Sequence, residues 1–264
     1  MATLVVADVH GEYEALRALL KRAKPRPGRD RVVFVGDLVG RGPASGAVLD
    51  AAMDLPDCEV VLGNHDLHLL RAHARGEAAE PELAELLADA KSDERAAWLR
   101  ARRLALPLDE AGGLACHAGL WHAWDREAAL AAAAAVEEAL RGPAWQEALE
   151  QLYGDNESAW AENLKGGRRL QAAVNILTRM RCCNGDGGVC WAYRGEPGED
   201  LPAGACAWFD YPLRRHRDLF VVCGHWSSLG LTLRPDVAMI DCGCCFGGPL
   251  AGLWAEDRRL VFDR

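Results

Sequence analysis

The sequence predicts an α/β fold: a largely parallel sheet, a second sheet packed on it, and a mainly helical insertion between the two. Three observations predict it. Apolar runs of strand length alternate with helical patterns over the first third of the chain. From approximately 121 to 216 the chain becomes Ala- and Trp-rich and the alternation stops; seven of the nine tryptophans fall between Trp121 and Trp226. After Gly224-His225, short β-like runs with Gly-rich connections return. A length of 264 residues suits one domain over 1–264 with a cap inserted at approximately 121–216, and suffices to bury a sizeable core.

Leu4 to Ala7 reads as a buried strand ending at Asp8. Leu16, Leu19, Leu20 and Ala23 recur at helical spacing until Pro25, Pro27 and Gly28 stop the helix. Val32 to Val35 is the next strand, ending at Gly36-Asp37, and a helix follows over Ala44 to Met53. Glu59 to Leu62 is a third strand, ending at Gly63-Asn64-His65-Asp66, with helical patterns from Leu67 to about Arg103. Leu114 to Cys116 is a strand ending at His117. In the inserted stretch the pattern is helical from Asp125 to about Leu152 and again around Gly167 to Ile176, then Gly- and Cys-rich from Cys182 to Gly204. Its tryptophans are read as its core, or for one or two of them as a slot for a planar base. Asp218 to Cys223, Val237 to Ile240, Leu250 to Ala255 and Leu260 to Phe262 are the late strands.

The 39 acidic and 30 basic residues give a net charge of -9. That balance argues against wrapping nucleic acid or lying on an anionic membrane, while leaving room for a polyanion in one locally positive pocket. The start of the chain shows no basic leader with an apolar run behind it, and no run approaches the roughly 20 apolar residues of a membrane span. The expected location is cytoplasmic, where thiols stay reduced. Neither Cys182, Cys183 and Cys190 nor Cys242, Cys244 and Cys245 have paired zinc-ligand spacing, and buried or spare thiols are the expectation.

Five segments carry chemistry: Asp8-Val9-His10; Gly36-Asp37 with Arg41-Gly42; Gly63-Asn64-His65-Asp66; His117; and Gly224-His225. Each follows an apolar strand, and in α/β sheets ligands bind at strand ends. Asp, His and Asn suit a hard-to-borderline divalent metal. Asp8 and His10 lie two apart and share one side of an extended segment. Singly such segments are common by chance; five in order at strand ends are a site. His68 and His73 follow at helical spacing and read as helix surface.

The series D-x-H, G-D-x(3)-R-G, G-N-H-D, H and G-H resembles the calcineurin-like metallophosphoesterase superfamily. The segments 36–43, 62–70, 116–120, 176–181, 224–226 and 240–244 are similar to the bacterial symmetrical diadenosine tetraphosphate hydrolase family. The resemblance implies two packed mixed sheets flanked by helices (αββα). It implies a hydrolase cleaving a dinucleoside polyphosphate symmetrically, to two ADP, by a metal-activated hydroxide. Asp8, His10 and Asp37 hold one ion in that reading. Asp37 bridges to a second ion, held also by Asn64, His117 and His225. The two ions are divalent, with manganese expected and cobalt or iron also fitting. Two carboxylates leave such a centre positive, which suits a polyphosphate.

Around that centre, Arg41 offers a forked donor to phosphate. Arg179 and Arg181 are either phosphate holders or surface ion pairs. His65 faces the leaving group as a general acid or orients a neighbour. Asp66 is a helix cap or a catalytic partner. Related protein phosphatases carry an Asp where this chain has Gly40, so His65 lacks a carboxylate partner. A nucleoside diphosphate leaves with little need of a proton, which makes that loss tolerable. The competing readings are a Ser/Thr protein phosphatase of the same fold, a decapping enzyme acting on capped RNA 5′ ends, and a non-catalytic nucleotide sensor. No membrane and no stable protein partner are expected.

Overall fold

In the computed structural model, which describes residues 1–191, 193, 195 and 201–264, the first apolar run is β1 (Ala2–Val6). It leads through the amphipathic helix α1 (Tyr13–Ala23) to β2 (Asp30–Phe34), α2 (Ser45–Asp54) and β3 (Cys58–Val60). Pairings β1–β2 and β2–β3 are both parallel, as expected for strands joined through helices. The long helical stretch after β3 is three helices: α3 (Asn64–Arg75), α4 (Pro81–Ala88) and α5 (Ser92–Arg100). Gly76, at φ 69°, closes α3, and Pro81 opens α4 at its first position.

β4 (Ala105–Leu108) and β5 (Gly113–Cys116) form an antiparallel pair. Pro107 sits in β4 at a sheet edge, where its missing N–H is tolerated; the proline hides this strand from a pattern reading. From β5 the chain leaves the sheets for α6 (Arg126–Arg141), α7 (Trp145–Leu152) and α8 (Gly166–Arg179), which pack on one another. Asp125 caps α6 by accepting the Ala128 N–H at 2.9 Å, and Gly142-Pro143 separates α6 from α7. A ribbon, β6 (Cys182–Cys183) with β7 (Cys206–Ala207), follows. Residues 192, 194 and 196–200 of the Gly- and Cys-rich stretch lie outside the described residues.

The chain returns with β8 (Phe220–Cys223), β9 (Thr232–Leu233), β10 (Val237–Met239), β11 (Ala251–Trp254) and β12 (Arg259–Phe262). Two mixed five-stranded sheets result, ordered β12-β11-β1-β2-β3 and β4-β5-β8-β10-β9. Each holds a parallel triplet, β1-β2-β3 and β5-β8-β10, with antiparallel strands outside it. Both sheets feed one continuous apolar core, and Trp121, Trp124, Trp208 and Trp226 are buried in it. Among the described residues, no helix is long and apolar enough to cross a membrane. All ten cysteines are free thiols.

One buried ionic contact joins α6 to the sheets. Glu137 accepts the Leu104 N–H at 2.9 Å and lies 3.7 Å from Arg103 and 3.4 Å from Arg141. Glu137→Ala leaves that amide buried without an acceptor, and should cost about 1–3 kcal/mol of unfolding free energy in a urea titration. An unchanged midpoint would show that the Glu137 contact does not anchor α6.

Candidate metal centre and active site

The polar residues singled out in the sequence stand at the carboxyl ends of the two parallel triplets. Asp8 and His10 follow β1, Asp37 follows β2 and Asn64 follows β3; His117 follows β5 and His225 follows β8. The two sheets thus contribute from opposite sides to one edge of the sandwich. Crossing hydrogen bonds lock the loops: the Val9 and His10 N–H groups donate to the Asp37 carbonyl (3.1 and 2.8 Å), and Gly224 N–H donates to the His117 carbonyl at 2.9 Å. Glycines permit the approach. A Cβ on Gly63 or Gly224 would collide with the carboxylate oxygen of Asp37 or Asp8 respectively.

Asp37 is the centre of the arrangement. Its Oδ2 lies 3.5 Å from His10 Nε2 and 3.5 Å from His117 Nε2. Its Oδ1 accepts the His65 backbone N–H at 2.8 Å. The imidazoles are aimed by carbonyls: His10 Nδ1 lies 3.1 Å from Val39 O and His117 Nδ1 lies 2.7 Å from Val35 O. In each, a carbonyl at Nδ1 leaves Nε2 to face the centre, the arrangement that orients metal-ligating histidines. Asn64 Oδ1 lies 3.2 Å from His117 Nε2. His10, Asp37, Arg41 and His225 all carry positive φ (48°, 48°, 63° and 66°), conformations that non-glycine residues hold only when their surroundings impose them.

Asp66 supplies part of that constraint. Fully buried, it accepts the N–H groups of Asp37 (2.8 Å), Leu38 (3.0 Å) and Gly63 (2.9 Å), tying the start of α3 to the Asp37 loop. Burial, then the charge of Asp37, pushes its carboxyl up to about 7. Burial works against the Asp37 carboxylate too, but His117, His65 and His10 hold it well below the ordinary range. Burial alone would depress His117, yet Asp37 and Asp8 raise it to about 10. Burial pushes His10 down to about 4 and lowers His65 and His225. Asp8 is raised by burial and then by the neighbouring carboxylate of Asp241.

This donor set fits divalent ions. Two groups of three donors have ligand atoms within 4.8 Å of one another: His10, Asp37 and His65, and Asp37, His117 and His225. They share Asp37, as a bridging carboxylate requires. His225 Nε2 is buried and has no hydrogen-bond partner among the described residues, an orphan that a metal ion would satisfy. Neither group includes a cysteine. Asp8 belongs to neither; its carboxylate accepts the His225 N–H at 3.0 and 3.2 Å. His65 is the third member of the first group, its ring 4.8 Å from that of His10 and edge-on to it.

Over the centre lies a polar cleft of about 430 Å³, lined by His10, Asp37, Asn64, His65 and His225 together with Arg41, Arg179 and Arg181. Arg41 is exposed, its guanidinium 5.2 Å from the centre of the Phe246 ring. Arg179 lines the cleft and is also braced, 2.9 Å from Asn175 Oδ1 and 2.7 Å from Asp155. Arg181 donates to the His225 carbonyl at 3.2 Å. His68 and His73 lie on α3 within reach of Glu80 (3.2 Å) and Asp93 (2.9 Å). Sequence reasoning gave no role to Asp241, Trp191 or Phe246, all in the cleft wall. Asp241 follows β10, so the rule of a polar residue after an apolar strand covers it too. The positions of Trp191 and Phe246 depend on loops that carry no pattern.

The fold and the donor set together are those of a metallophosphoesterase. The sequence profile of the calcineurin-like phosphoesterases matches residues 1–226, and the chain belongs to that family. It is 45% identical over 260 residues to the symmetrical bis(5′-nucleosyl)-tetraphosphatase of Bordetella pertussis, covering 97% of this chain and 93% of that protein. It is 41% identical to the protein of the same name from Nitrosospira multiformis, covering 98% and 94%. A crystal structure described as that of a candidate diadenosine tetraphosphatase superposes with a TM-score of 0.68 at 21% identity, covering 99% of this chain and 92% of that one. A cold-active protein tyrosine phosphatase shares the fold at a TM-score of 0.57 and 20% identity, covering 99% and 75%.

Two outcomes test the centre. Asp37 and Asp8 push His117 up to about 10 when no metal is bound, so an ion binding at its ring displaces a proton. Calorimetric manganese affinity should therefore rise about tenfold per pH unit per displaced proton between pH 6.5 and 8; a pH-independent affinity would contradict this. Gly40 has φ 87°, and a Cβ there would stand 2.8 Å from His65 Nδ1. Gly40→Ala should lower turnover at least tenfold, with the folded state retained in circular dichroism; wild-type turnover would show that His65 can move aside freely.

Proposed function

We propose that this chain is a hydrolase that splits diadenosine tetraphosphate symmetrically into two ADP. The observation that carries the proposal is the combination of near full-length likeness to proteins named symmetrical bis(5′-nucleosyl)-tetraphosphatase with the Asp37-centred donor cluster under a polar, arginine-lined cleft. Asp8, His10 and Asp37 would hold one divalent ion, and Asp37, Asn64, His117 and His225 a second. Two such ions, manganese in this proposal because the donors mix oxygen and imidazole nitrogen, supply Lewis acidity and an activated water when bound.

The chain's own residues do the rest. Arg41, Arg179 and Arg181 bind the oxygens of the phosphate chain; their guanidinium groups present planar forks suited to phosphate. Arg179 is held before substrate arrives by Asn175 and Asp155, which limits the entropy lost on binding. His65 faces the polyphosphate from the start of α3, its Nδ1 against Gly40 with no carboxylate at that position. It therefore donates a hydrogen bond to the departing diphosphate more than it acts as a strong acid, and a diphosphate leaving group needs no more than that. Asp66 positions Asp37, and with it His65, through their backbones. The free thiols of all ten cysteines fit a reducing compartment, the cytoplasm.

The test is product analysis of diadenosine tetraphosphate hydrolysis with manganese. ADP as the sole product is expected; AMP with ATP would mean asymmetric attack and refute the proposal. A second outcome bears on His65. His65→Ala should lose more of kcat/KM on a phosphoserine peptide, whose alkoxide needs a proton, than on diadenosine tetraphosphate. An equal or larger loss on the tetraphosphate would make His65 an obligatory acid.

A further inference from the structure

A second cavity, of about 520 Å³, adjoins the polar cleft and shares Asn64, His65 and Arg179 with it. It lies between α3 on one side and the end of α7, the 153–155 turn and α8 on the other. Its walls differ from those of the first. Leu67, Leu152, Val174 and the ring of Tyr153 give it an apolar face, beside polar side chains that include His68, Arg71, Asp155 and Thr178. Both volumes fall within the range of about 300–1,000 Å³ usual for small-molecule sites.

We propose that this second cavity seats one nucleoside of the substrate, the one carried by the departing nucleoside diphosphate. The inference rests on the dinucleoside tetraphosphate reading and goes beyond it by naming where a base and ribose bind. Geometry supplies the argument. Helix α3 begins at Asn64, in the metal-ligand cluster, and presents His65, Leu67, His68 and Arg71 along the cavity. At 1.5 Å per residue, Arg71 lies about 10 Å along the axis from Asn64, so the helix leads away from the phosphate centre in step with a chain whose charge ends and whose base begins. His65 and Arg179 stand where the two cavities meet, on the path between phosphate and nucleoside. Aliphatic and aromatic surface suits a purine face; the polar cleft has rings of its own, but those of Trp191 and Phe246 face the guanidinium groups of Arg179 and Arg41, 4.5 and 5.2 Å from their centres. Tyr153 is itself braced by the Arg71 guanidinium, 4.3 Å from its ring centre, and Arg71 is held at 3.0 Å by Glu150 of α7. The cavity wall thus spans both sides of the α3–α7 junction and is preorganised before any ligand enters.

The test uses the full-length manganese-loaded protein and keeps the two readings apart. Conversion of diadenosine tetraphosphate to ADP by the wild type tests the activity. For the cavity, Tyr153→Ala removes a wall and His68→Trp fills the space. Each should lower the ratio of kcat/KM for diadenosine tetraphosphate to that for p-nitrophenyl phosphate at least tenfold, mainly through KM. Photolabelling of the wild type with 2-azido-ADP needs no turnover and no variant. Label on peptides from 64–75 or 152–155, displaced by diadenosine tetraphosphate, is expected. Unchanged ratios in both variants, or label only on peptides carrying Trp191 or Phe246, or no displaceable label, would overturn the assignment. Symmetric cleavage with label elsewhere removes the cavity and leaves the activity; label in the cavity without cleavage removes the activity and leaves the cavity.

Discussion

The carboxylate of Asp37, set midway between the imidazoles of His10 and His117, is the contact on which the rest of the site depends. One oxygen lies 3.5 Å from each ring nitrogen, and the other accepts the His65 amide. Placing a charged group so deeply is costly unless neighbours offset it. Here Asp37 and Asp8 favour the positive form of His117, which offsets that cost, and Asp66, by accepting three backbone amides, ties down the Asp37 loop. The strain in the positive φ of His10, Asp37 and His225 is thus distributed over a closed set of hydrogen bonds.

This constraint explains the architecture around it. A single parallel triplet ends on one row of loops and could surround an ion from one side only. Two triplets, one per sheet, bring Asp8, His10, Asp37 and Asn64 to face His117 and His225 across the sandwich edge. The antiparallel outer strands add core without adding ligands. The helices between β5 and β8 supply what the sheets lack: Arg179 at the end of α8, and the apolar wall opposite α3. The net charge of -9 is then no obstacle to a polyphosphate, since the cleft itself gathers three arginines.

Much of this was legible in the sequence, for a physical reason. A buried parallel strand is a run of apolar residues, and a polar residue placed directly after it must stand at the sheet's carboxyl edge. Asp8, His10, Asp37, Asn64, His117 and His225 obey that rule, and so does Asp241, which the same reasoning passed over. Strand β4 was hidden by Pro107, and the two-residue strands β6, β7 and β9 are too short to show alternation. Arg179 resisted a single reading because it is both ion-paired with Asp155 and part of two cavity walls. The cavity between α3 and the later helices arises from tertiary packing alone, and no local pattern encodes it.

In the proposed centre Asp37 serves two ions at once. Metal content per chain, measured by mass spectrometry after dialysis against manganese, tests it most directly. The wild type should hold two ions, His10→Ala and His225→Ala one each, and Asp37→Ala none. Retention of one tightly held ion by Asp37→Ala would mean that the carboxylate belongs to a single site and is not shared.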